Sequence, residues 1–154
     1  MDINTGDTFC YGVAGYPEKH EEAPNLDIDL HWLKHKVDSG AEYIVTQMFF
    51  DNQKYYDFVD KCRTMGINVP IIPGIKPITS INQMTILPKV FHVDLPSDLA
   101  NELMKCKDDN SAKVLGIEWC EAQVKDLIAN GIPSVHFYSL NATQSVKQIV
   151  SNIF

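Results

Sequence analysis

The strongest constraint in this sequence is a glycine used three times in the same place. Gly40, Gly66 and Gly131 each follow a stretch with helical spacing of apolar residues and precede a run rich in β-branched residues. A glycine just past a helix is the usual helix stop, so each marks the turn of the chain from helix back to strand. Strands alternating with helices in this way predict right-handed βαβ units and a parallel sheet.

The expected strands are Thr8–Tyr16, Tyr43–Phe50, Val69–Ile75 and Ser134–Leu140. The second is nearly continuous in β-branched and aromatic residues, which predicts a strand covered on both faces. Expected helices run from a cap at Asp27 to Ser39, from a cap at Asp51 or Asn52 to Gly66, from Ser80 to Leu87, from Ser97 to Lys105, from Ser111 to Asn130, and from Thr143 to Asn152. Asp108 and Asp109 favour the N-terminus of the fifth helix electrostatically. Residues 1–7 read as a loop. No composition shift marks an internal boundary, so residues 1–154 are expected to form one domain.

Charge and length then exclude classes. With 13 Lys+Arg against 20 Asp+Glu and no basic run, a nucleic-acid partner is not expected. No apolar run approaches the roughly 18 residues of a membrane span, and no signal peptide opens the chain. Cys10, Cys62, Cys106 and Cys120 form no CxxC pair and sit in apolar surroundings, which predicts reduced, buried thiols and a cytoplasmic location. At 154 residues the chain is too short for a complete (β/α)8 barrel, which takes roughly 200 residues or more.

In parallel α/β architectures the ligand lies beyond the carboxyl ends of the strands. Those ends carry Tyr16 to His20, Gln47 with Asp51, Pro73 to Pro77, and Tyr138 to Asn141. Gln47 stands out, because an amide within an apolar strand needs partners or costs about 1–3 kcal/mol. A ligand's heteroaromatic edge or a neighbouring loop backbone would serve equally. Asp29 and Lys36 are two helical turns apart and share a helix face, with Trp32 between them. That face could hold the hydroxyls and phosphates of a nucleotide, or be a solvated charged surface. His31 and His35 lie one turn apart, but no HExxH pattern and no cysteine cluster completes a metal site, so no metal is assigned. Neither GxGxxG nor a P-loop is present.

Four ordered motifs then resemble one family. Gly12 to Ala23 is similar to the AGYPExHPEA signature of methylenetetrahydrofolate reductases. Lys34 to Ala41 followed by Ile44 to Asp51 resembles LKxKVDAGAxxxITQxFFD, Pro70 to Ile78 resembles IIPGIxPI, and His136 to Asn141 resembles HFYTLN. The resemblance implies a TIM (β/α)8 barrel holding FAD at its strand ends. It also implies transfer of a hydride from NADH or NADPH through the flavin to 5,10-methylenetetrahydrofolate, giving 5-methyltetrahydrofolate in one-carbon and methionine metabolism.

By motif, Tyr16, His20 and Ala23 are expected to line the FAD site, with Asp29 toward its hydroxyls and Lys36 toward its pyrophosphate. Trp32 and His35 occupy positions of polar or basic FAD contacts. Gln47 corresponds to the glutamine that meets folate and nicotinamide, and Gln83 to a second substrate-side glutamine. Leu87 stands where some members have phenylalanine against the folate, Leu140 is a further substrate contact, and Ala142 replaces an arginine. The similarity starts at the family's fifth strand, so the fold implied is the C-terminal half of the barrel, strands five to eight. The general-acid glutamate and the Arg-Gly-Asp flavin segment belong to the other half. The chain alone is therefore expected to lack turnover and to associate with other copies through exposed barrel edges. The alternative is an inactive flavin- or folate-binding module.

Overall fold

Four parallel strands and six helices account for the regular structure in the computed structural model, which describes residues 9–140 and 142–154. In chain order these are β1 (Gly12–Gly15), α1 (Leu26–Asp38), β2 (Tyr43–Met48), α2 (Asn52–Thr64), β3 (Ile71–Ile75), α3 (Gln83–Phe91), α4 (Ser97–Lys105), α5 (Asp109–Ala129), β4 (His136–Phe137) and α6 (Thr143–Ile153). The expected leading loop over residues 1–7, Thr8, and Asn141 lie outside the described residues.

The sheet order is β1-β2-β3-β4, every pair parallel. Right-handed crossovers that always step in the same direction leave the helices on one face of the sheet. A doubly wound sheet would need the order to reverse. The architecture is therefore α/β of the TIM-barrel type.

The glycine stops have a common chemistry. At the end of α1, Gly40 sits at φ 113°, its N–H donates to Val37 O at 3.0 Å, and Ala41 N–H donates to Lys36 O at 3.2 Å. This pair of bonds is the Schellman motif, which satisfies the last carbonyls of the helix. It recurs after α2, with Gly66 to Arg63 and Ile67 to Cys62, and after α5, with Gly131 to Ile128 and Ile132 to Leu127.

Several boundaries differ from expectation. Phe49 and Phe50 leave the ladder and are 0% and 1% exposed, so their apolar character marks core rather than strand pairing. β4 is two residues long because it pairs only with Gly74 and Ile75. α1 is capped by Asn25, whose Oδ1 accepts from Ile28 N–H at 2.9 Å, and not by Asp27. α3 starts later and runs through Pro88, because burial of Leu87 holds the turn that the proline disfavours. α5 is capped by Asp108 in a capping box with Ser111, while Asp109 accepts from Ile81 N–H at 2.9 Å.

Two apolar clusters form. Leu30, Leu33, Ile44, Phe58, Val124 and Leu127 belong to the cluster between the sheet and helices α1, α2 and α5. Met48, Phe50, Ile78, Leu87, Leu99 and Leu103 form a second cluster that joins α3 and α4 to the strand ends. Along β2, Ile44, Thr46 and Met48 are buried, whereas Tyr43, Val45 and Gln47 are only partly so. β2 is thus covered on one face, not on both as its composition implied.

The thiols also divide. Cys62 and Cys120 are buried and Cys106 is half-buried, but Cys10 is exposed, contrary to the expectation of four buried cysteines. Burial pushes the Cys62 thiol up to about 11 and Cys120 to about 12. Thiolate is the reactive form, so alkylation of the native protein at pH 8 is expected to modify Cys10 and spare Cys62 and Cys120, read by peptide mass. Equal labelling of Cys120 would contradict this packing.

Candidate ligand site at the strand ends

The loop from β1 to α1 is built around a lysine. Lys19 adopts φ 90°, and its Nζ donates to the carbonyls of His20, Glu21 and Ala23 at 3.1, 3.2 and 2.8 Å. The loop is tied to α1 where His20 N–H donates to Asp29 Oδ2 at 2.8 Å. His20 Nδ1 accepts from Glu22 N–H at 3.2 Å, so in the neutral ring the proton sits on Nε2, free to face a ligand. The ring meets Tyr16 edge-on, with centroids 4.6 Å apart.

These bonds shape a groove of about 350 Å³ lined by His20, Ala23, Ile28, Asp29, Trp32 and Lys36. Five of the seven residues expected at a cofactor therefore lie together. Trp32 is 56% exposed and supplies an aromatic surface between the carboxylate and the ammonium. Lys36 makes no ion pair among the described residues, and one oxygen of Asp29 is not engaged by the loop. Aromatic face, carboxylate and unpaired cation in one groove fit part of a dinucleotide, and the volume is at the low end of the roughly 300–1,000 Å³ of small-molecule sites.

The other two residues sit apart. His35 lines an adjoining cavity of about 390 Å³ with Tyr11, Val13 and Ala41, and only Lys36 borders both. Tyr16 shares with Gln47 a space of about 10 Å³ closed by Phe91, His92 and Val93, hardly room for one water.

The residues expected on the substrate side are not gathered. Gln47 Oε1 accepts from Met48 N–H at 3.1 Å, while its Nε2 meets no acceptor among the described residues. Gln83 is spent on the turn before α3, accepting from Thr79 N–H at 2.8 Å and donating to Thr79 Oγ1 at 3.2 Å. Leu87 is 2% exposed in the second core cluster, so it faces protein rather than an open site. Leu140 is 61% exposed at φ 33°, and Ala142 is buried.

Three polar groups at the strand ends received no role from the sequence. Tyr138 Oη donates to Thr46 O at 2.9 Å, locking β4 to β2 across β3. Glu18 Oε2 accepts from Asp94 N–H at 2.7 Å, but its Oε1 is buried without a partner among the described residues, and burial raises its carboxyl above the usual range. A carboxyl raised in the folded state binds its proton more tightly there, so its contribution weakens as pH rises through that value. Replacing Glu18 by Gln is expected to flatten the fall in Tm as pH rises above the ordinary carboxylate range. An unchanged profile would show that Glu18 is solvated. Lys76, directly after β3, is buried. Each follows a strand end in the sequence, and that position is the signal that marks it.

A one-sided parallel sheet with a groove beside its carboxyl ends defines an α/β protein of the TIM-barrel type. The sequence model of the family "Methylenetetrahydrofolate reductase" matches residues 1–154, and the chain belongs to that family. It is 40% identical over 148 residues to methylenetetrahydrofolate reductase 1 of Schizosaccharomyces pombe, covering 96% of this chain and 24% of that protein. With 5,10-methylenetetrahydrofolate reductase of Escherichia coli it shares 39% over 137 residues, which is 88% of this chain and 46% of the relative. The chain thus spans about a quarter to a half of the curated relatives it matches. Among solved structures, an uncharacterized protein from Clostridium thermocellum that binds two copies of 5-methyl-5,6,7,8-tetrahydrofolic acid has a TM-score of 0.57 at 23% identity, covering 83% of this chain and 46% of that one. Among the described residues, no helix is long and apolar enough to cross a membrane, and no group of three or more His, Cys, Asp or Glu could hold a metal.

Proposed function

We propose that residues 1–154 form a single partial-barrel domain, strands five to eight of a methylenetetrahydrofolate reductase barrel, and supply FAD and folate contacts to an enzyme of one-carbon and methionine metabolism in the cytoplasm. The observation that carries this reading is the convergence of His20, Ala23, Asp29, Trp32 and Lys36 on one groove. These residues would hold FAD, which when bound would supply the hydride-transfer chemistry by which NADH or NADPH reduces 5,10-methylenetetrahydrofolate to 5-methyltetrahydrofolate. The chain's own part is binding and orientation. Lys36 neutralises the pyrophosphate, the unengaged oxygen of Asp29 accepts from ligand hydroxyls, and Trp32 offers a stacking face in place of a polar contact. His20 and Tyr16 close the groove toward the strand ends, and His35 extends it past Lys36. Gln47 presents its amide to the substrate with Leu140 beside it, while Gln83, bonded to Thr79, and Leu87, packed in the core, shape the substrate side from behind. The general acid is supplied from outside these residues, so the isolated chain binds without turning over.

Titrating FAD into the chain and following flavin fluorescence tests this. Saturable quenching is expected, weakened about ten-fold or more by Lys36→Ala, with no NADH-menadione turnover. Absence of FAD binding overturns the reading. Turnover near that of a full-length reductase overturns the assignment to half a barrel.

Self-association is part of the same proposal. β1 has no partner strand on its outer side among the described residues, and Phe9 and Tyr11 beside it are 75% and 63% exposed. Unpaired edges with apolar flanks invite pairing with another copy. Size-exclusion chromatography is expected to give a dimer or larger, and a monomer at every concentration argues against it.

A further inference from the structure

We propose that Lys76 is a ligand-binding residue of the strand-end mouth, donating from Nζ to a carbonyl or anionic oxygen on the edge of a fused heteroaromatic ring. The inference rests on the flavin and folate reading above and assigns it a contact that none of the sequence motifs supplies.

Lys76 interrupts an apolar run, Ile71 to Ile78, at the point where β3 ends. Ile75 lies wholly within the core on the helix side of the sheet, and alternation along an extended backbone sends Lys76 to the opposite face. On β4, Phe137 pairs with Ile75, and Tyr138 N–H donates to Ile75 O at 2.9 Å, so Tyr138 follows on the same side as Lys76. Gly15 pairs with Thr46, which brings Tyr16 and Gln47 alongside one another at the ends of β1 and β2. Successive strand ends thus present Tyr16, Gln47, Lys76 and Tyr138.

Lysines at surfaces bury their stems and keep the ammonium in water. Lys76 does not: the residue is 2% exposed, and its Nζ is itself buried with no acceptor among the described residues. Burial holds its pKa below the usual lysine value. A leucine or methionine would fill this position without that cost, so the ammonium is explained by an acceptor that arrives from outside. On the adjacent strand end, the half-buried amide of Gln47 leaves its Nε2 without a protein acceptor among the described residues and open to solvent. A buried donor without an acceptor at Lys76, beside the solvent-reached amide of Gln47, selects a ligand edge rich in acceptors, as in the lactam carbonyls and ring nitrogens shared by isoalloxazine and pterin. Tyr16 supplies a neighbouring aromatic surface, while the Tyr138 hydroxyl is already committed to Thr46.

The test compares the full chain with its Lys76→Met and Lys76→Arg variants. FAD and 5-methyltetrahydrofolate are titrated separately by calorimetry, and Tm is measured without ligand. Lys76→Met is expected to raise the ligand-free Tm, because it removes a buried unpaired donor, and to lose ten-fold or more in affinity for one of the two ligands. Lys76→Arg is expected to recover part of that loss. A loss for FAD alone assigns the contact to the flavin ring, and a loss for the folate alone assigns it to the pterin. Unchanged affinity for both ligands with binding intact overturns the role of Lys76 and leaves the proposed function standing. Failure of the wild-type chain to bind either ligand overturns both.

Discussion

Replacing Gly116 by valine is expected to lower the unfolding free energy by about 3 kcal/mol or more, a drop of roughly 10 °C in Tm for a chain of this size. A Cβ at position 116 would stand 2.1 Å from Ile78 O and 2.9 Å from Ile78 N, so α5 rests directly on the backbone of the segment after β3. Backbone cannot swing aside as a side chain can. The helix must lift, and Ile117 beside it and Cys120 one turn on would be drawn out of the core with it. Gly116→Ala is expected to act in the same direction and less strongly. Thermal unfolding followed by circular dichroism reads both, and a Tm within 2 °C of wild type for valine would show that α5 does not sit on this segment.

The second large effect is expected at Asp29. Its carboxylate takes the His20 N–H, joining two residues nine apart and fixing the loop that Lys19 organises. Asp29→Ala leaves that partly buried donor unmet and removes a charge-assisted bond worth about 1.5–3 kcal/mol. The proposed FAD site would lose its hydroxyl acceptor and its wall together, with affinity falling by more than ten-fold. Asp29→Asn keeps an oxygen for His20 N–H and should recover most of the stability but less of the binding. Equal loss of both properties in the two variants would mean that the charge, and not the bond to the loop, sets the site.

The βα order was legible because each unit carries its own punctuation: Gly40, Gly66 and Gly131 stop helices by a local pair of backbone bonds that six consecutive residues define. The groove was legible for a similar reason. Asp29, Trp32 and Lys36 lie on one helix, and seven-residue spacing alone places the charged pair on one face. What failed depends on distant contacts. Phe49 and Phe50 have the composition of a strand, and only the packing of α5, whose Trp119 and Gln123 side chains donate to their carbonyls at 3.0 and 3.3 Å, takes them out of the ladder. Gln83 carries no sign that Thr79 will occupy its amide. Whether a face of β2 is covered depends on neighbours beyond its own sequence, so an apolar run could not reveal that Tyr43, Val45 and Gln47 are only half shielded.

The repeated helix stop has a consequence for how the chain folds. Both of its bonds close within one turn, so α1, α2 and α5 can each reverse direction before the following strand has found its neighbour. From β1 to β3 the sheet can then grow by adding one prefabricated helix–strand unit at a time to an adjacent edge, whereas β4 joins only after α3, α4 and α5. Parallel sheets are ordinarily slow to form because their pairings are remote in sequence. Here the search for the first two pairings is confined to the next unit along the chain, so β1 to β2 is expected to gain protection from hydrogen exchange before β3 to β4.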